Sequence, residues 1–134
     1  MPQTTRFLAR LIGILAIVIV AATMTRGSAM IRTMIGDGST MFVLAMTSVA
    51  AGLAMVLAHN VWTGGLLPVV VTIVGWLTLA KGLLLLFLTP GRFAPLLERM
   101  HYDRYFYLFL VPAFVIGAYL TWAGFTTARP SNER

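Results

Sequence analysis

The sequence predicts an all-α membrane fold: a four-transmembrane-helix bundle with short interfacial helices in loops one and three. Three observations lead there. Hydrophobic residues make up 59% of the 134 residues and charged ones only 10%, whereas soluble domains carry about 25% charged residues. Four apolar stretches, at 7–24, 41–57, 66–88 and 105–125, each approach the ~20 residues needed to cross a hydrocarbon core of ~30 Å. The connections between them are too short to hold an aqueous domain, so residues 1–134 read as a single integral membrane domain.

The first span follows Arg6 and Arg10. A basic start, an apolar core from Leu11 to Ala22, and Val20 with Ala22 as small residues also fit a cleaved signal peptide. The stretch from Phe7 is long enough to span, and Gly13 with Ala16 offers a small face to a neighbouring helix, so a retained first helix is the preferred reading. In loop one, Met30, Ile31, Met34 and Ile35 share a helical face. Ser28 is placed to cap that short helix, and Gly36-Asp37-Gly38 to end it.

The second span carries small residues at helical spacing, Ser48 with Gly52 and Ala50 with Ala54, and closes at His59 and Asn60, which suit a helix cap and a turn before Trp62. The third span repeats the small-residue pattern with Gly75, Thr78 and Gly82, and this face is expected to be buried together with Trp76, whose N–H needs a partner such as Thr72 or a neighbouring helix. Thr89-Pro90-Gly91 stops that span. In loop three, Pro95 suits a first helical turn, and Phe93, Leu96, Leu97 and Met100 follow i, i+3, i+4, i+7. Tyr102, Tyr105 and Tyr107 mark the start of the fourth span, Tyr119 and Trp122 its end, and Pro112 is expected to kink it or free a carbonyl.

A net charge of +6 in a soluble protein would point to nucleic acid. Here the arginines flank apolar spans, where anionic headgroups favour them, and no nucleic-acid partner is expected. Arg6, Arg10, Arg129 and Arg134 fall on one side, against Arg26, Arg32, Arg92, Arg99 and Arg104 on the other, so the positive-inside rule leaves orientation open. There is no cysteine, hence no disulfide and no thiolate chemistry.

Lys81 is the one formal charge between His59 and Leu88. A charge near bilayer centre costs at least ~2.5 kcal/mol, so Lys81 requires a partner, a wet cavity or a route to the interface. Asp37, Glu98 and Asp103 belong to the loops on its side of the membrane, and a polar network of Lys81 with these three is the expected arrangement; the simpler alternative is a lysine that snorkels.

His59 and His101 fall on opposite sides, which argues against a shared haem, and Met30 with Met34 fits an apolar face better than a copper site. Glu98, His101, Asp103 and Arg104 cluster in loop three, where a self-pairing charged turn outweighs acid–base chemistry. No catalytic residue, metal or cofactor is therefore expected.

The pattern His59-Asn60-x-Trp62, Thr72-x-x-Gly75-Trp76-Leu77, Lys81-Gly82 and Pro90 resembles the signature of a family of small, uncharacterised bacterial four-span integral membrane proteins. The resemblance covers about 32 residues; it implies the bacterial inner membrane and marks His59, Asn60, Trp62, Trp76 and Lys81 as positions to test, but implies no activity. Small multidrug transporters of similar length work through a carboxylate in the first span, which this chain lacks. The expected role is an accessory or membrane-organising subunit, not an enzyme, touching lipid and either itself or another membrane protein. The alternative is a small oligomeric transporter or channel-like protein handling an anionic solute or lipid headgroup at Lys81.

Overall fold

The computed structural model describes residues 3–126; Arg129, Glu133 and Arg134 lie outside the described residues. The described residues form six helices and no strand: α1 (Gln3–Arg26), α2 (Ser28–Gly36), α3 (Gly38–Ala58), α4 (Leu66–Phe87), α5 (Pro90–Arg99) and α6 (Phe106–Thr126). Of these, α1, α3, α4 and α6 run 21 to 24 residues and are long and apolar enough to cross a membrane, which fits a multi-pass membrane protein. Each extends about 32 to 36 Å at ~1.5 Å per residue.

Helices suit these sequences because every backbone polar group finds its partner within the same segment. Four threonines obey the same constraint. Thr23, Thr47, Thr78 and Thr121 each donate the hydroxyl proton to the carbonyl four residues back, at 2.7 to 2.8 Å, so these hydroxyls need no partner from the bilayer, whereas the buried Thr5 hydroxyl has none.

Helix ends differ from expectation at two points. Ser28 makes no capping bond; Gly27, at φ 75°, is the N-cap of α2 and turns the chain out of α1 in a conformation that disfavours a Cβ. Pro90, not Pro95, occupies the first turn of α5, where its missing N–H costs nothing, and Pro95 sits inside the helix. Asp37 alone separates α2 from α3: it is extended and caps α3 by accepting from the Thr40 N–H at 2.9 Å. Pro112 does not interrupt α6, which continues as one helix.

The spans associate as two antiparallel pairs. In the α3/α4 pair, a Cβ on Gly52 would meet the Leu79 backbone at 2.4 Å, and one on Gly82 the Val49 backbone at 2.6 Å, so these glycines let the two backbones touch. In the α1/α6 pair, Gly13 lies against Thr121 and Gly117, and Gly117 in turn against Ala16. The small faces of Gly13 with Ala16, of Gly52, and of Gly75 with Gly82 are therefore pairing surfaces, whereas Ala50 and Ala54 are exposed. Trp76 is also turned out: Gly75 faces α3, and Trp76, one residue on, is rotated about 100° away and is 44% exposed.

The buried core between the two pairs of spans lies at one end. Ala9 of α1, Leu67 and Val71 of α4, and Leu120 and Ala123 of α6 form a buried core there, with Leu8, Ile12, Val74, Ile116 and Tyr119 packed against it. At the other end α2 lies against α5.

Candidate functional site

The segment 59–76 folds back on itself. The His59 N–H caps α3 by donating to the Met55 carbonyl, and its buried ring donates from Nε2 to the Pro68 carbonyl at 3.3 Å. Thr72 Oγ1 accepts from the Val61 N–H at 3.1 Å, while its own proton faces the carbonyls of Val61 and Pro68 at 2.9 and 3.0 Å. Asn60 Oδ1 receives the indole N–H of Trp62 at 2.8 Å and, more weakly, that of Trp76 at 3.5 Å. Gly64 and Gly65, at φ 88° and 119°, make the turn that brings these groups together. The partner of Trp76 is thus Asn60, because Thr72 is spent on the loop backbone.

At the opposite end, α5 finishes in a Schellman motif. The Tyr102 N–H bonds the Leu97 carbonyl at 3.1 Å, the His101 N–H bonds that of Glu98 at 3.0 Å, and His101 takes the left-handed conformation, φ 49°, usually left to glycine. The turn delivers Asp103 to Arg32 of α2, whose Nε donates to Oδ1 at 2.9 Å while its terminal nitrogen meets Oδ2. It also places the Tyr102 ring against Phe106, edge-on, and Phe109, stacked; burial pushes the Tyr102 hydroxyl above its ordinary pKa. A groove of about 110 Å³ between α2 and α5 is lined by Arg32, Ile35, Gly36, Ala94, Leu97 and Glu98.

These contacts break up the expected network around Lys81. Asp103 is held by Arg32, Asp37 is occupied by Thr40, and Glu98 lines the α2–α5 groove. Lys81 is exposed on α4, and among the described residues it makes no hydrogen bond or ion pair. The physical reason is local competition: Arg32 and Thr40 reach these two carboxylates from the same loops, without bringing a charge up through the span.

No family model, curated protein or solved structure matches the chain. Residue roles therefore rest on geometry. Among the described residues no three His, Asp or Glu side chains gather as a metal site would require. The arrangement can hold turns, cap helices and present one unpaired cation on an apolar wall.

One residue assigned to the headgroups in the sequence turns inward instead. Arg10 Nε donates to the Gly124 carbonyl at 2.8 Å, and its guanidinium lies 4.6 Å from the Phe125 ring centroid. The available signal was weak: Gly124 allows close approach, but nothing in sequence pairs positions so far apart.

Proposed function

We propose that this chain is an accessory or membrane-organising subunit of the bacterial inner membrane, with no catalysis of its own. Its four spans form one bundle, and α2 and α5 lie in the headgroup layer at one end. The observation that carries this reading is the use made of the polar side chains. His59, Thr72, Asp37, Asp103 and Arg10 each hold the chain's own turns and helix ends, while large apolar side chains such as Phe42, Leu57, Leu77, Phe87 and Trp122 face outward. Such a surface suits lipid and a second membrane protein or copy of the chain. The bacterial inner-membrane assignment rests on the resemblance carried by His59, Asn60, Trp62, Trp76 and Lys81.

Photo-crosslinking in native membranes from positions 42, 57, 77 and 122 tests it. A discrete crosslinked species, either a dimer or a defined partner, is the expected result. Recovery of monomer alone from all four positions overturns the subunit reading.

The exposure of Lys81 favours a second reading, a small transporter or channel-like protein for an anion. In that case reconstituted liposomes show anion flux that Lys81→Met abolishes while the protein remains folded. Equal flux in the variant removes this reading.

A further inference from the structure

Three helix faces that pack together at one end come apart toward the other. On α4, Leu67 and Val71 are buried, Val74 packs beside them, and Lys81, two turns further on the same face, is exposed. On α1, Leu8 and Ile12 pack on the core, whereas Leu15 and Ile19, next along that row, are 53% and 54% exposed. On α6, Ile116 packs on the core, and Pro112 and Phe109 along the same row are exposed. The helices therefore bound a wedge, closed at Ala9 and Leu120 and opening toward the end where α2 and α5 lie. Its walls are apolar except for Lys81 and for Thr78, whose hydroxyl is spent on the Val74 carbonyl, and Arg26 continues the α1 row toward the opening.

We infer that this wedge holds one acidic phospholipid, its phosphate drawn to Lys81 and its acyl chains lying against Leu15, Ile19, Phe109 and Pro112. Charge identifies the occupant. None of the four spans contains a carboxylate, so a second copy of the chain brings no counter-ion to this depth; of the chain's own carboxylates on that side, Asp37 and Asp103 are already engaged and Glu98 lines the α2–α5 groove. Depth sets the geometry: Lys81 lies six residues short of Phe87, about 9 Å along the helix at ~1.5 Å per residue, so the phosphate descends from the interface into the mouth of the wedge to meet the ammonium. The acyl chains supply what the parted helices leave uncovered, an apolar filling of variable width. This inference deepens the second reading above by naming the chemistry Lys81 recognises, and it requires no transport.

Native mass spectrometry of the detergent-extracted protein, offered phosphatidylglycerol and phosphatidylcholine in equal amounts, tests it. The expected result is one phosphatidylglycerol per chain, preferred by about fivefold, the effect of one basic residue at an anionic surface. Lys81→Gln brings the two lipids to parity, Lys81→Arg keeps the preference, and Ile19→Trp, which fills the wedge without changing charge, lowers binding of both. Arg6→Gln, at the opposite end, changes nothing. No preference in the wild type, a preference surviving in Lys81→Gln, undiminished binding in Ile19→Trp, or displacement of the lipid by inorganic phosphate overturns the inference. Absence of anion flux with lipid preference intact removes the transport reading alone; Lys81-dependent flux without lipid preference removes the lipid inference alone.

Discussion

Arg10 in α1 caps the far end of α6: its Nε gives a 2.8 Å hydrogen bond to the carbonyl of Gly124, in the last turn. The last four carbonyls of a helix have no partner within it, and they carry the negative end of its dipole, so a cation from a neighbouring helix answers both needs. Gly124 makes room, since a Cβ there would come within 2.9 Å of the Arg10 side chain.

Arg10→Met is expected to lower stability by about 1.5–3 kcal/mol, the range for hydrogen bonds to charged groups. Arg10→Lys should recover only part of this, because an ammonium cannot bond the carbonyl and stack on Phe125 with the same planar group. Unfolding of the purified protein in mixed micelles, followed by circular dichroism, measures both. An unchanged midpoint in Arg10→Met would show that the cap contributes nothing.

The α3/α4 contact predicts a sharp contrast among glycines. Gly52→Ala and Gly82→Ala force backbone against backbone and should each cost about 1–3 kcal/mol, as overpacking does. Gly36→Ala, in α2, has nothing within 4 Å of the added Cβ and should be neutral or stabilising by about 0.5–1 kcal/mol. The same micelle titration ranks all three. The double variant Gly52→Ala/Gly82→Ala should cost less than the sum, since one separation of the helices relieves both clashes.

His101 holds a left-handed conformation at the end of α5 that costs a non-glycine residue about 1–2 kcal/mol. His101→Gly should therefore stabilise the protein by up to about 1 kcal/mol, part of the relief being lost to the freer unfolded chain. His101→Val should destabilise it, because branching at Cβ worsens the same contact. Thermal midpoints in detergent decide the order: glycine above histidine above valine.

Asp37 sets a pH dependence whose sign is fixed by its partners. The Thr40 hydroxyl, and then the Thr40 N–H, hold the carboxyl below its ordinary value of 3.8. A group whose pKa falls on folding stabilises the fold above its ordinary value, and that contribution disappears as pH drops through the lowered one. Amide protection at the start of α3 should thus be constant above pH 5 and decline below 3.8. Asp37→Asn should retain a cap and remove the decline, as read by hydrogen exchange.

Element positions were legible in the sequence because span length is set by the bilayer and turn chemistry by glycine and proline. The apolar stretch 66–88 became α4 at Leu66–Phe87, and Ser28 stands at the first residue of α2, whereas the first turn of α5 holds Pro90 and not the expected Pro95. The small faces of Gly13, Gly52 and Gly82 were legible too, as surfaces for close approach. What sequence could not show was which surface each would meet: local spacing carries no information on whether Gly13 pairs with α3, α4 or α6. The Lys81 network failed for the same reason, since Arg32 and Asp103 lie 71 residues apart and their match depends on α2 and α5 lying side by side. Arg10 was misplaced because an arginine near a span looks the same whether it reaches a headgroup or a carbonyl.

The pairing of α1 with α6 also dictates an order of assembly. α3 and α4 are joined by a short turn and can close as soon as both are in the bilayer, but the bond from Arg10 to Gly124 spans 114 residues and must wait until α6 is synthesised. Throughout that interval the glycine face of α1 stays vacant among lipids, open to small-residue helices of other nascent chains. A membrane insertase or chaperone that shields α1 during synthesis would therefore act on this protein's yield, and slowing translation between α4 and α6 should lower the yield by prolonging the exposure.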